Sequence, residues 1–207
     1  AYGGGVFAAV TQNTTIAASS TDGITWTQRT LPSAAPWEAV AYGGGVFVAV
    51  AAFNTAAAAS STNGITWTQR TLPTSARWES VAYGNGVFVA LAYDSTIAAS
   101  STDGITWTQR TLPYAYWQSV AYGGGVFAAV SYYYPRIAAS STDGITWTQR
   151  TLPETAGKGW RSVAYGGGVF AALVYNSYYA ASSTDGITWT QRTLPTTTYW
   201  RSVAYGG

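Results

Sequence analysis

WESVAYGNGVFVALAYDSTIAASSTDGITWTQRT, residues 78–111, decides the fold. Four short stretches in it are rich in Val, Ile, Thr, Trp, Tyr and Phe, and clusters of Gly, Asn, Asp and Ser separate them. That composition favours strands joined by turns. The expected strands are a (residues 78–83), b (87–92), c (97–101) and d (105–111), and no stretch is long enough for a typical helix. Working outward, the phrase AYGxG recurs from Ala1, Ala41, Ala82, Ala121 and Ala164, and AYGG returns from Ala204. The spacings are 40, 41, 39, 43 and 40 residues. A period near 40 residues marks stacked supersecondary units, and the four-strand content selects sheets over helical solenoids.

Four antiparallel strands per unit, repeated five times, predict a five-bladed β-propeller over residues 1–207, in which each small sheet buries both faces against its neighbours. Runs such as VFVAL and VFVAV fit strands buried on both sides. The chain opens at strand b and ends on an extra strand a, which predicts a composite blade built from residues 200–205 plus 6–30, leaving no free edge. Ala1 and Tyr2 duplicate Ala204 and Tyr205, so one end is expected to be displaced.

Bulk composition narrows the function. Net charge is +2 with 9% charged residues, so there is no basic field for nucleic acid. No apolar run reaches the roughly 18–20 residues of a membrane helix. Cysteine and histidine are absent, which removes the usual thiolate and imidazole ligands and the usual proton shuttle. No metal and no cofactor are expected, and the chain is expected to be monomeric.

The turn between strands c and d reads SSTDGITW in four units, as at residues 19–26, and carries Asn63 for Asp in the second. It resembles the Asp-box repeat of sialidase-like β-propellers, with Ser-x-Asp and Gly-x-Thr-Trp one residue closer together. The whole unit, with GITWTQRTLP and VAYGGGVFVAV, is also similar to repeats of bacterial and phage surface or tail proteins. The resemblance implies a propeller, an extracellular or virion surface location, and a functional face opposite the Asp boxes. From the residues themselves, Asp22, Asp103, Asp143 and Asp185 are turn formers that accept backbone amides, and Asn63 can do the same. Arg29, Arg70, Arg110, Arg150 and Arg192 are expected to cover aromatic surface and pair with turn acids. The GGG and GNG triplets are hairpin turns, since no helix or Lys-Ser/Thr follows them.

The units differ in two places. The b–c connections read TQNTT (11–15), AAFNTA (51–56), AYDST (92–96), SYYYPR (131–136) and VYNSYY (174–179). The d–a connections read SAAP, TSAR, YAY, ETAGKG and TTTY, each before a tryptophan. In an up-and-down meander both sets lie at the same end of the sheets, opposite the constant turns. Tyrosine and small polar residues dominate there, as in antibody-type paratopes. The expected ligand-binding residues are Phe53, Arg77, Tyr93, Asp94, Tyr114, Tyr116, Tyr132, Tyr133, Tyr134, Arg136, Trp160, Arg161, Tyr175, Tyr178, Tyr179, Tyr199 and Arg201.

Three other classes compete with a recognition module for a protein or glycan. A lectin with five equivalent sockets needs ligand residues repeated in every unit, which the varied loops do not provide. A purely structural or engineered repeat is compatible with the near-identical constant segments. An enzyme of the sialidase type needs an arginine cluster, a tyrosine nucleophile and acids, and a glycosidase needs two facing carboxylates. Arg77, Arg136, Arg161, Tyr134, Asp94 and Glu154 supply those residue types without a repeat-imposed reason to converge. The chain is therefore expected not to be an enzyme.

Overall fold

The computed structural model describes residues 1–134 and 136–205. They hold no helix and form five four-stranded antiparallel sheets. The sheets are β1 (Tyr2–Gly3), β2 (Val6–Val10), β3 (Thr14–Ser20) and β4 (Thr27–Ala35); then β5 (Trp37–Gly43), β6 (Val46–Ala51), β7 (Thr55–Ser61) and β8 (Thr68–Ala76); then β9 (Trp78–Gly84), β10 (Val87–Ala92), β11 (Ser95–Ser101) and β12 (Thr108–Ala115). The fourth holds β13 (Trp117–Gly123), β14 (Val126–Ser131), β15 (Ile137–Ser141) and β16 (Thr148–Thr151). The fifth holds β17 (Trp160–Gly166), β18 (Val169–Val174), β19 (Ser177–Ser183) and β20 (Thr190–Thr198). Two compact units divide the chain, Ala1–Ala92 with Ala98–Gln109, and Tyr93–Ile97 with Arg110–Gly207.

Strand order follows chain order in every sheet. The tight hairpins between the first two strands use two residues at positive φ, such as Gly44 (56°) and Gly45 (82°), or Asn85 (48°) and Gly86 (78°). Two such residues make the primed turn that matches strand twist, and this is why only Gly or Asn stands there. Register is then fixed, with Gly43 opposite Val46 and Tyr42 opposite Phe47.

The constant turn between the third and fourth strands is closed by its own side chains. Asp22 Oδ1 accepts the Ile24 and Thr25 amides at 2.8 Å each and the Ser20 hydroxyl at 2.9 Å, while Gly23 N donates to Ser20 Oγ at 2.9 Å. Asn63 Oδ1 takes the corresponding Ile65 and Thr66 amides at 2.9 Å. An amide oxygen therefore does the work of the carboxylate. The Thr25 amide first, then Ile24 and Ser20, hold the Asp22 carboxyl down to about 2. Asp103 and Asp185 are lowered in the same way, led by the Thr106 and Thr188 amides.

That turn also moves the expected start of the last strand. Ile-Thr-Trp belongs to the turn, because the captured amides are not available to a ladder. The strand instead runs through TQRTLP and beyond, as in β4, β8, β12 and β20, with a register shift such as that between Thr14 and Ile16. Proline fits at such an edge because no ladder amide is required of it. The repeated arginines correct a second expectation. Arg29, Arg70, Arg150 and Arg192 donate Nε to Ser19, Ser60, Ser140 and Ser182 at 2.8–2.9 Å, so the Nε partner is a serine of the neighbouring strand and not a turn acid.

The core sits between sheets. In the first unit, Trp37, Phe47, Ala49, Ala51, Ala59 and Trp67 form one buried cluster. In the second, Ala128, Val130, Leu152, Trp160, Phe170 and Val174 do the same. Within each unit, sheets approach closely at a glycine ending AYG. A Cβ on Gly43 would lie 1.9 Å from the Tyr83 ring, and one on Gly123 would lie 2.0 Å from the Tyr165 ring.

The first sheet carries a first strand from the N-terminus itself. Its edge is β1, with Tyr2 opposite Phe7 and Gly3 opposite Val6, and Ala1 exchanges backbone hydrogen bonds of 2.8 and 2.9 Å with Ala8. Residues 199–205 carry no strand. They lie along the fifth sheet, where Val203 N donates to Ser162 Oγ at 3.2 Å and Tyr205 packs on Gly166. The same contacts join Val163 to Ser119, also at 3.2 Å, and Tyr165 to Gly123. The segment thus occupies the place of a following first strand.

Candidate ligand-binding surface

Four of the five b–c connections share a turn that their differing letters conceal. Asn13, Asn54, Asp94 and Asn176 all have φ between 50° and 59°. The next residue, Thr14, Thr55, Ser95 or Ser177, accepts the amide two residues on, at 2.7–3.1 Å. Part of the variation is therefore local turn chemistry. The fourth connection departs from it and places Tyr132, Tyr133 and Tyr134 in succession.

In the first unit the expected site residues form one small group. Phe53 is exposed, with φ 59°, and the Arg77 guanidinium lies 5.3 Å from its ring centre. Arg77 Nε also donates to Glu79 Oε2 at 2.9 Å, and that carboxylate is buried.

In the second unit, eight tyrosines from five connections form a continuous ladder of ring contacts. Tyr93 meets Tyr116 at 5.2 Å. Tyr116 meets Tyr114, Tyr133 and Tyr134 at 6.2, 4.7 and 5.6 Å. Tyr133 meets Tyr132 at 5.3 Å, Tyr132 meets Tyr175 at 6.2 Å, and Tyr175 meets Tyr199 at 5.4 Å. Many of these pairs are edge-on or tilted, the favoured arrangements for aromatic quadrupoles. The Tyr114 hydroxyl donates to the Asp94 carboxylate. That bond, followed by one with Tyr116, raises the Tyr114 phenol above its ordinary value. Arg201 stacks on Tyr175, 5.7 Å from its centroid.

The remaining expected residues have other surroundings. Tyr178 and Tyr179 pair at 4.4 Å, and the hydrogen bond shared by their hydroxyls raises the Tyr179 phenol. Arg136 pairs with Glu154 at 3.6 Å, both well exposed. Arg161 is half-buried on β17. Trp160 is a correction, since it is fully buried in the core of the second unit and offers no surface to a ligand. Its equivalents show why the tryptophan recurs: Trp37, Trp78 and Trp117 each donate Nε1 to the carbonyl four residues back, at 3.0–3.3 Å. The tryptophan closes the d–a connection.

Sequence reading missed the concave part of the surface. A cavity of about 270 Å³ opens among Tyr132, Tyr133, Gly157, Lys158, Gly159, Tyr175 and Asn176. Its wall is ETAGKG, the connection behind the 43-residue spacing and hence a signal present in the sequence. Ala156 (φ 52°) and Gly157 (φ 77°) turn this loop. Thr155 is fully buried, and its carbonyl accepts the Lys158 amide at 3.1 Å. Gly159 lies against Tyr132, whose carbonyl oxygen would be 2.0 Å from an added Cβ, and its own carbonyl accepts the Tyr175 amide at 3.0 Å. The cavity is thus lined by fixed backbone and by rings of the ladder.

Among solved structures, virginiamycin B lyase from Staphylococcus aureus is similar to this chain with a TM-score of 0.80 and 15% identity, over 93% of this chain and 68% of the lyase. A structure titled YCF48 bound to D1 peptide is similar with a TM-score of 0.64 and 16% identity, over 89% of this chain and 62% of that one. YCF48 from Cyanidioschyzon merolae gives 0.57 and 15%, over 86% and 66%. The chain therefore spans less than two thirds of either YCF48 chain. Likeness at these identities shows a shared fold. It corrects the expectation that the chain is not an enzyme to this extent: a similar fold is that of an enzyme, the lyase, so the fold gives no ground for excluding catalysis. No curated protein sequence matches the chain. The DUF6242 beta propeller domain profile matches residues 33–155, more than half of the chain. Five consecutive four-stranded antiparallel sheets and that match give one conclusion: the chain belongs to the DUF6242 beta propeller domain family.

Proposed function

We propose that the tyrosine ladder of the second unit is a recognition surface for a protein ligand, carried on a propeller scaffold. The observation that carries this reading is the contrast within one repeat. Constant turns keep the same side chains, while the opposite connections bring eight tyrosines into contact at a surface. Tyrosines supply large contact area at low side-chain entropy cost and retain a hydroxyl for hydrogen bonding. A core does not need Tyr114, Tyr133 and Tyr199, which are 48%, 63% and 61% exposed. The structure of YCF48 with D1 peptide is an instance of a similar fold holding a peptide.

The test is selection of phage-displayed random dodecapeptides on the intact chain. Clones recovered on the wild type are expected to be lost on a Tyr132→Ser, Tyr133→Ser, Tyr134→Ser variant that melts at the same temperature. Retention of those clones by the variant would refute the assignment.

A further inference from the structure

The ladder has a charge asymmetry at one place. Tyr175 is approached by two cations: Lys158 shares the cavity wall with it, and Arg201 stacks on its ring at 5.7 Å. The nearby acids are already engaged. Asp94 accepts the Tyr114 hydroxyl, and Glu154 pairs with Arg136 while accepting the Thr155 amide at 3.2 Å. Neither Lys158 nor Arg201 holds an ion pair among the described residues. No carboxylate lines the cavity, so a positive potential stands beside aromatic rings and the Asn176 amide.

Size limits what can enter. A volume of about 270 Å³ is near the lower end of small-ligand pockets, which suits a single side chain better than a large cofactor. The cavity is also built in advance. Buried Thr155 ties down the loop that presents Lys158, and Gly159 packs on Tyr132 too closely for any side chain. A pre-ordered wall lowers the entropy lost on binding.

We infer that this cavity is a socket for an aspartate or glutamate side chain of an extended peptide whose neighbouring residues lie along the tyrosine ladder. The inference rests on the recognition reading above and adds the chemical class of the anchor. The ligand carboxylate meets the Lys158 ammonium, the methylenes before it lie against Tyr132 and Tyr175, and Arg201, stacked on Tyr175, adds positive field. A charge-assisted hydrogen bond at a partly closed site gives the specificity that ring contacts alone lack.

The test compares peptide selections on the full chain, on Lys158→Gln, on Lys158→Arg and on Arg201→Gln. Both residues are exposed, so equal melting temperatures are expected. Wild-type clones should be enriched in Asp and Glu over the unselected library. Their synthetic peptides should lose roughly tenfold in affinity on Lys158→Gln, the scale of a hydrogen bond to a charged group. They should lose less on Arg201→Gln, recover substantially on Lys158→Arg, and weaken with added salt. Clones without acidic enrichment that still require Tyr132 to Tyr134 overturn the socket and leave the recognition surface standing. Clones independent of those tyrosines overturn both. Acidic clones indifferent to Lys158→Gln place the carboxylate elsewhere and overturn the socket. Tighter Lys158-dependent binding of oligogalacturonate than of any acidic peptide assigns the site to acidic glycans and overturns the peptide.

Discussion

Every sheet of this protein has two unlike ends. At one end, Ser, Asp or Asn, and Gly build the same closed turn five times, with their hydrogen bonds directed at their own backbone. At the other, in the second unit, hydroxyls and rings are turned toward each other and toward solvent. A turn whose Asp or Asn oxygen is engaged by its own backbone admits an isosteric change at that position, as Asn63 shows. A surface whose rings touch but are not enclosed can change without unfolding the sheet beneath it. Repetition thus concentrates stability at one end and leaves the other free for contact chemistry.

The strongest challenge to that division is removal of a tryptophan that stands at the varying end and is yet part of the core. Trp78 is fully buried and donates to the Thr74 carbonyl of the preceding connection. Trp78→Ala is expected to destabilise by about 3–5 kcal/mol, read from chemical denaturation. A loss below about 1 kcal/mol would remove the tryptophan from the structural side of the comparison.

Close approach of sheets comes next. Gly123→Ala sets a methyl 2.0 Å from the Tyr165 ring and is expected to cost about 1–3 kcal/mol as the second unit shifts to admit it. The double variant with Tyr165→Ala tests the cause. Removing the ring should relieve part of the clash, so the two costs should not add.

The turns respond to pH and to charge removal. Asp22, Asp103, Asp143 and Asp185 have carboxyls below their ordinary value, Asp22 at about 2. For Asp143, partial burial opposes the shift, and the Thr146 and Ile145 amides outweigh it. A depressed native pKa contributes stability that is present above the unfolded value near 4 and is lost as pH falls toward the native value. Melting temperature should therefore fall between about pH 4 and 2, and changing the four aspartates to asparagine should flatten that fall. At neutral pH, Asp143→Asn should change stability by less than about 0.5 kcal/mol, whereas Asp143→Ala should cost about 1 kcal/mol.

The smallest effect on folding is expected on the contact surface. Tyr133 is 63% exposed, and Tyr133→Ser should alter stability by less than about 0.5 kcal/mol while removing the peptide clones described above. A stability loss as large as that of Gly123→Ala would move the ladder to the structural side.

How much of this was legible in one chain depends on whether a feature is local. The strand runs, the Gly-Gly and Asn-Gly turns and the Asx turns are set by φ preferences and side-chain-to-backbone bonds within a few residues. They read directly from the 40-residue repeat. The start of the fourth strand was misread because Ile-Thr-Trp has strand composition, while the preceding Asp captures its amides. Trp160 was misassigned because composition identifies an aromatic residue without showing that its ring is turned into the core.

Sequence alone therefore determined five repeats of four strands, their turns, and which connections vary, because each follows from short-range sterics and hydrogen bonding repeated in register. Only the tertiary structure decided that eight separated tyrosines form one ladder. Only it showed that ETAGKG walls a cavity beside Tyr175, and that residues 199–205 lie against the fifth sheet. Those outcomes depend on which loops the packing of sheet on sheet brings together, and no local periodicity encodes that distance.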